Sequence, residues 1–298
     1  MAETPRIGIL ANPEKPGAVV LLHDLVKRFG AADRSVLLEE ESAALAGLPE
    51  GVPLAEFGEA VDLIVLLGGD GTLLWAVREL GAGIKPIAAI NTGTLGFLTC
   101  ATEEESAALV EALVSGSYTI SERCLIEGEL ERGGRIEETF CALNEVAICR
   151  AVASRVIHIE TLVNGVFANR YTGDGLILST PTGSTAYSLS AGGPLVSPDA
   201  NVFVVTPICP HSLADRPLVV DASSQLVFET PRQRDDLSLL VDGHPLAVLK
   251  EPARVYLRKA GFVLPLISLP QQDFYSVLHR KMGWAGSSIG EGAGEGKP

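Results

Sequence analysis

As far as about Ser117, short apolar runs alternate with stretches whose apolar positions recur at helical spacing. Arg6 to Ala11 reads as a strand, Pro16 to Phe29 as a helix, and Asp62 to Leu67 as a strand. Leu73 to Leu80 reads as a helix and Pro86 to Ile90 as a further strand. Thr102-Glu103-Glu104-Glu105 has the form of a capping box, and the helix it opens stops near Gly116. This alternation predicts an α/β domain with a mainly parallel sheet.

From Tyr118 the pattern changes to short strands separated by turn residues. Candidates are Leu125 to Glu131, Glu145 to Cys149, Val156 to Val163, Val202 to Val205 and Leu218 to Val220. Leu226 to Glu229, Leu237 to Val241, Ala253 to Leu257 and Phe262 to Leu266 follow. That spacing predicts an all-β, sandwich-like C-terminal domain. The expected division is an α/β domain over 1–117, a β-rich domain over 118–270, a helix within 271–282 and a tail over 283–298. The tail is rich in Gly and Glu with nothing to bury, so disorder is expected there.

Composition narrows the function classes. The 298 residues suit two domains, and 47% hydrophobic content is ample for a packed core. A net charge of −14 with no Lys/Arg cluster argues against nucleic acid as a partner. No polybasic run, basic amphipathic helix or spanning-length apolar run suggests a membrane. Cys100, Cys124, Cys141, Cys149 and Cys209 are odd in number and lack CxxC pairs, which fits a reducing cytoplasm better than a disulfide scaffold or zinc site. Met1 to Arg6 is polar and short, so no targeting segment is expected.

The chemistry concentrates in two islands. In the first, the strand ending at Leu67 runs into Gly68-Gly69-Asp70-Gly71-Thr72 and then a helix. Strand, glycine turn and helix point backbone N–H groups at a phosphate. The carboxylate among the glycines repels phosphate, so its place there needs a reason: a bridging metal, or a proton to be taken from an attacking hydroxyl. The competing reading, Asp70 capping the next helix, leaves the glycines unexplained. The second island runs from Thr172-Gly173-Asp174-Gly175 through Leu178 to Pro194, with seven Ser and Thr residues between Ser179 and Ser190. It supplies small donors and acceptors on a backbone that a ligand can approach closely.

With Asn91-Thr92-Gly93-Thr94-Leu95-Gly96-Phe97-Leu98, Asn144-Glu145, Thr206 to Leu213 and Asp242-Gly243-His244, these islands resemble the NAD kinase family. The resemblance runs from about Ile7 to about Tyr275, with the motifs in order. The Gly68 to Thr72 turn alone also looks like diacylglycerol and sphingosine kinases, and 6-phosphofructokinases carry a related turn. The run Thr180 to Tyr187 discriminates. No Walker A lysine motif is present.

The resemblance implies transfer of the γ-phosphoryl group of ATP, or of inorganic polyphosphate, to the 2′-hydroxyl of the adenosine ribose of NAD. It makes Asp70 the general base and Gly68, Gly69, Gly71 and Thr72 the phosphate cradle, with no protein metal ligands and Mg²⁺ held mainly by ATP phosphates. Substrate-binding positions carried over are Gly71, Phe97, Asn144, Glu145, Arg155, Thr172, Asp174, Thr185, Ala186, Tyr187, Ser188, Leu189, Ser190 and His244. Phe97 is as readily core, Arg155 as readily a solvated strand charge, and His244 competes with a surface histidine in a turn. Homodimers or homotetramers are implied, with a neighbouring subunit reaching into the dinucleotide site. The alternatives are a diacylglycerol-type lipid kinase, disfavoured by the acidic charge, and a non-catalytic NAD(P)-binding sensor, disfavoured by the intact Asp70. His23, His158 and His279 have no partner at recognisable spacing, and Arg216 pairs locally with Asp215 in this reading.

Overall fold

A computed structural model describes residues 5–15, 17–48, 50–93, 96–151, 156–232, 236–270 and 273–283. The α/β half follows the chain as β1 (Ile7–Ala11), α1 (Ala18–Ala31), β2 (Val36–Leu38), α2 (Glu40–Leu45), α3 (Leu54–Ala60), β3 (Leu63–Leu67), α4 (Asp70–Leu80), β4 (Ile87–Asn91), β5 (Ala101–Thr102) and α5 (Ser106–Ser115). Strands β2, β1, β3 and β4 pair in that order, all parallel, with β5 parallel on β4. Every residue of β1, β3 and β4 is buried, because helices cover both faces; hence their unbroken apolar runs. Leu22, Leu25 and Leu109 pack one face, and Phe57, Leu73 and Val77 the other.

The β-rich half continues with β6 (Thr119–Arg132), β7 (Arg135–Ala142), β8 (Glu145–Arg150), β9 (Ile157–Val163), β10 (Val166–Gly173), β11 (Gly175–Ser179), α6 (Tyr187–Ser190), β12 (Val202–Ile208) and β13 (Leu218–Asp221). It closes with β14 (Leu226–Thr230), β15 (Leu237–Val241), β16 (His244–Leu249), β17 (Ala253–Ser268) and α7 (Phe274–Met282). One antiparallel sheet runs β13-β12-β11-β8-β15-β16. It packs on the sheet containing β10, β9, β14, β17, β6 and β7 through Val146, Ile148, Leu176, Leu178, Phe203, Phe228 and Val255. The sandwich expected from the sequence is thus present.

Several expectations are corrected. Ala253 to Leu257 and Phe262 to Leu266 are one strand, β17; its pairing with β6 is merely irregular between Lys259 and Val263, where Gly261 interrupts the apolar pattern. Near its end Leu266 pairs with Ile87 of β4, so β17 joins the α/β sheet to the sandwich in one 11-stranded sheet. Helix α4 starts at Asp70 rather than Leu73, and α1 at Ala18, after Gly17 at φ 84°. Glu105 accepts the Thr102 N–H at 2.9 Å, which is half of the expected capping box, but α5 begins only at Ser106. The last helix starts at Phe274, where the Asp273 carboxylate accepts the Ser276 N–H. The expected tail lies outside the described residues apart from Gly283.

Leu143 ties the halves together. It is fully buried in one cluster with Leu73 and Leu98 of the α/β half and Leu125 and Leu264 of the long strands. Leu143→Ala is expected to lower stability by about 2–5 kcal/mol, the usual cost of truncating a buried leucine, read as a shifted urea midpoint.

Candidate active site

Strand β3 delivers Asp70 to the carboxyl edge of the parallel sheet, where open α/β sheets bind ligands. The Gly68 N–H extends the ladder to the Ile90 carbonyl at 3.0 Å, and Gly69 is the N-cap of α4. Asp70 does not cap its own helix. Its Oδ2 accepts the Phe97 N–H at 2.9 Å and its Oδ1 the Leu98 N–H at 3.1 Å. That arrangement requires Gly96, because a Cβ there would stand 1.9 Å from the Asp70 Oδ1. A Cβ on Gly68 would meet Thr72 Oγ1 at 2.4 Å, so this glycine serves packing. Gly69 and Gly71 differ: a Cβ on either would meet nothing within 4 Å, and neither has a positive φ. Nothing among the described residues demands glycine there, whereas an anion approaching the start of α4 would.

Asn12 lies beside them, its Nδ2 donating to Thr72 Oγ1 at 3.1 Å. Asn12, Gly71, Thr72, Trp75, Glu39 and Glu41 are among the residues lining a cavity of about 410 Å³ at the ends of β1, β2 and β3.

On the sandwich side, the Asp242 carboxylate accepts three successive backbone N–H groups, from Leu143 (2.9 Å), Asn144 (2.7 Å) and Glu145 (3.1 Å). Asp242 at φ 47° and Gly243 at φ 77° form the turn of the β15–β16 hairpin. Burial raises the Asp242 pKa, and those three N–H groups oppose the rise. Burial, followed by the nearby Asp242 charge, pushes Glu145 up to about 7, while the Tyr187 N–H works the other way. Glu145 is only 4% exposed, and its Oε2 is buried without a hydrogen-bond partner, as are Thr92 Oγ1 and Thr182 Oγ1. An orphaned buried acceptor costs about 1–3 kcal/mol, which a ligand hydroxyl would relieve.

The hydroxyl-rich segment is pinned onto the same backbone. Thr180 donates its N–H to the Asn144 carbonyl at 2.9 Å and its hydroxyl to the Leu143 carbonyl at 2.6 Å. A Cβ on Gly183 would stand 2.1 Å from the Asn144 carbonyl oxygen, so only glycine fits. Thr185 and Ala186 are half-buried; Tyr187 and Ser190 are exposed and Leu189 half-buried. Ser188 differs from the expectation of a ligand contact: it is fully buried, and its hydroxyl bonds Thr206 Oγ1 at 2.8 Å. The Tyr187 phenol lies 3.8 Å from Cys149 Sγ, and desolvation, with Cys149 next, pushes it up to about 12.

Other expected residues stand apart. Asp174 pairs with Arg150 at 2.9 Å, at the opposite end of β8 from Glu145. Five residues of strand, roughly 17 Å, separate those ends. Thr172 on β10 has its hydroxyl 2.9 Å from His158 Nδ1. Phe97 is half-buried, with the Lys281 ammonium 5.7 Å from its ring centroid. His244 is exposed, lines a second cavity of about 530 Å³ with Arg78, Glu127 and Cys141, and has Nδ1 3.0 Å from the Asp242 carbonyl. Arg155 lies outside the described residues. The sequence reading missed Asn12 and Thr182, and read Asp242 only as motif and turn. The Asp-Gly pair signalled the hairpin, but no sequence signal gives the return of its carboxylate to Leu143–Glu145.

Both halves of the chain resemble known proteins. The model of the ATP-NAD kinase N-terminal domain matches residues 7–118, and that of the ATP-NAD kinase C-terminal domain matches 143–269. The NAD kinase of Geobacter metallireducens is 40% identical over 279 residues, 94% of this chain and 98% of that protein. That of Desulforamulus reducens is 35% identical over 277 residues, 93% and 96% of the two chains. Among solved structures, an NAD kinase from Archaeoglobus fulgidus in complex with ATP superposes with a TM-score of 0.71 at 25% identity, covering 94% of this chain and all of that one (100%). Yeast NADH kinase complexed with NADH has the same fold, with a TM-score of 0.87 at 24% identity over 98% and 91% of the two chains.

The raised Glu145 pKa carries a stability signature. The folded chain holds this proton where the unfolded chain has released it, so stability falls as pH rises from about 4.5 to about 7 and is level above. Glu145→Gln removes that slope. In urea unfolding the variant is expected to gain about 3 kcal/mol on the parent between those pH values. A constant difference across the range would mean that Glu145 ionises normally.

Proposed function

The chain belongs to the NAD kinase family and converts NAD to NADP, and from that premise we propose that Asp70 is the base of the transfer. In this reading residues 1–117 bind the phosphoryl donor and 118–270 the dinucleotide. The observation that carries it is the Asp70 carboxylate, fixed by two N–H groups beside a glycine backbone that none of the described residues obstructs. A ribose 2′-hydroxyl is a poor nucleophile at neutral pH. With two acceptor positions taken by Phe97 and Leu98, the carboxylate keeps others for the hydroxyl proton, help worth about 10²–10⁴-fold. The donor phosphates meet the backbone at Gly69 and Gly71 and the positive end of α4, which stabilise charge as the bond to the γ-phosphorus shifts.

Among the described residues no three His, Cys, Asp or Glu side chains converge on a common point. In this reading a magnesium ion would be held mainly by the donor's phosphates, where it would neutralise their oxygens. On the acceptor side, Glu145 Oε2 takes a ribose hydroxyl, the Asn144 amide can both donate and accept, and Tyr187 offers a stacking face. Asp174, a strand's length from Glu145, supports a homodimer or homotetramer in which it faces a neighbouring copy's dinucleotide. The five free cysteines and the acidic composition support a cytoplasmic location.

The direct test is NADP formation by the purified chain from NAD, ATP and Mg²⁺, with a diacylglycerol control. Asp70→Asn is expected to cut kcat by about 10²–10⁴-fold with NAD affinity nearly unchanged. Turnover within a few-fold of the parent would refute the base. Gly96→Ala, which must displace the same carboxylate, is expected to lower kcat by about 10²-fold at least. NADP bound tightly but never formed would point to a sensor, and product in the lipid arm alone to a lipid kinase.

A further inference from the structure

The loop that holds Asp70 is itself held. The Cys100 N–H ties it to β4, donating to the Ala89 carbonyl at 2.8 Å, and the Gly96 N–H closes it on Thr99 Oγ1 at 3.2 Å. Between those ties lie Phe97 and Leu98, whose N–H groups carry the carboxylate. Helix α7 closes against the same loop. Phe97, Leu98 and Cys100 of the loop and Asp273, Phe274 and Val277 of the helix share a cavity of about 40 Å³, little more than the volume of one water. Asp273, Val277 and Lys281 recur at every fourth residue, so they share one face of α7. Asp273 fixes the start of the helix by accepting the Ser276 N–H at 2.9 Å, and Val277 is buried. Lys281 places its ammonium 5.7 Å from the centroid of the Phe97 ring. One face of α7 therefore rests on the loop that aims Asp70.

Two N–H groups on one carboxylate set its position and its plane together. A shift of the loop is passed straight to the oxygen that meets the hydroxyl proton, and a misplacement of about 1 Å can cost about 10²-fold in rate. An ammonium within about 6 Å of a ring face attracts it through the ring quadrupole. Val277 and Lys281 thus grip the loop at successive turns, one by packing and one by charge. We propose that α7 is a positioning element of the reaction: Val277 and Lys281 hold the Phe97–Leu98 backbone where it aims the Asp70 carboxylate. The inference rests on reading Asp70 as the base.

Val277→Asp, Lys281→Ala and Lys281→Arg in the full chain test it, each alone and each combined with Asp70→Asn. Val277→Asp puts a charge on the buried face of α7 and is expected to lower kcat about tenfold or more, with KM for ATP unchanged. Lys281→Ala, on an exposed position, is expected to lower kcat about threefold, and Lys281→Arg, which keeps a cation over the ring, to restore it. In the Asp70→Asn background the same substitutions are expected to change the residual kcat by less than about twofold, because the carboxylate that α7 positions is gone. Hydrogen exchange reads the loop without turnover. Val277→Asp is expected to speed exchange of the Phe97 and Leu98 amides about tenfold and to leave those of β1 unchanged.

Equal fractional losses of kcat in both backgrounds would overturn the proposal, since α7 would then act through stability alone. So would Phe97 and Leu98 amides that exchange at the parent rate in Val277→Asp. If that variant does not fold, the Lys281 substitutions carry the same comparisons. If Asp70→Asn turns over like the parent, the base reading fails by itself, and amide exchange still decides whether α7 holds the loop.

Discussion

The interaction on which the sandwich side of the candidate site depends is the buried Asp242 carboxylate holding the N–H groups of Leu143, Asn144 and Glu145. Three N–H groups on one carboxylate fix a stretch of backbone that belongs to no ladder at its first two positions. Everything else on that side is measured from this stretch. Leu143 anchors it in the apolar cluster shared by both halves, while its carbonyl and that of Asn144 receive Thr180. Glu145, the first residue of β8, is left with an oxygen that none of the described residues satisfies. The fold thus uses two buried acids differently: Asp242 is saturated by backbone donors, and Glu145 is kept short of one. A saturated carboxylate organises structure, and a deficient one is prepared for a ligand.

The α/β side of the candidate site repeats this logic with glycine. Gly68 and Gly96 are required by neighbouring atoms, whereas Gly69 and Gly71 face open space. The motif therefore combines two kinds of glycine: some permit the chain to pack, and others leave room for something outside it. The carboxylate of Asp70 stands between them, held by a loop that comes from the far side of β4.

Much of this was legible in the sequence. The unbroken apolar runs of β1, β3 and β4 declared a sheet buried on both faces, and the glycine-acid turn pointed to the candidate site. Strands β7, β10 and β16 were not legible, because they carry few buried positions: the first five residues of β7 are all exposed. Their turns were better signals than their bodies. Gly133-Gly134, Asn164-Gly165 and Asp242-Gly243 all adopt positive φ at both positions, the geometry of two-residue hairpins. The roles of Ser188 and Thr180 could not be read from a hydroxyl-rich run, since burial sorts structural hydroxyls from available ones. Nor could the distance of Asp174 from Glu145, which follows from strand pairing rather than from the motif's compactness along the chain.

The long strands β6 and β17 run side by side from the sandwich into the α/β sheet, with their pairing interrupted only between Lys259 and Val263. A pair of domains joined by a flexible linker can swing like jaws; a pair that shares a continuous hydrogen-bonded ribbon behaves as a stiff spring. Bending it means straining the ladder on both sides of one irregular step. On the proposed assignment of donor and acceptor to the two halves, they are brought together by a distance built in when the chain folds. Part of the entropy of alignment is lost during folding, once, and need not be lost again with each pair of substrates that binds.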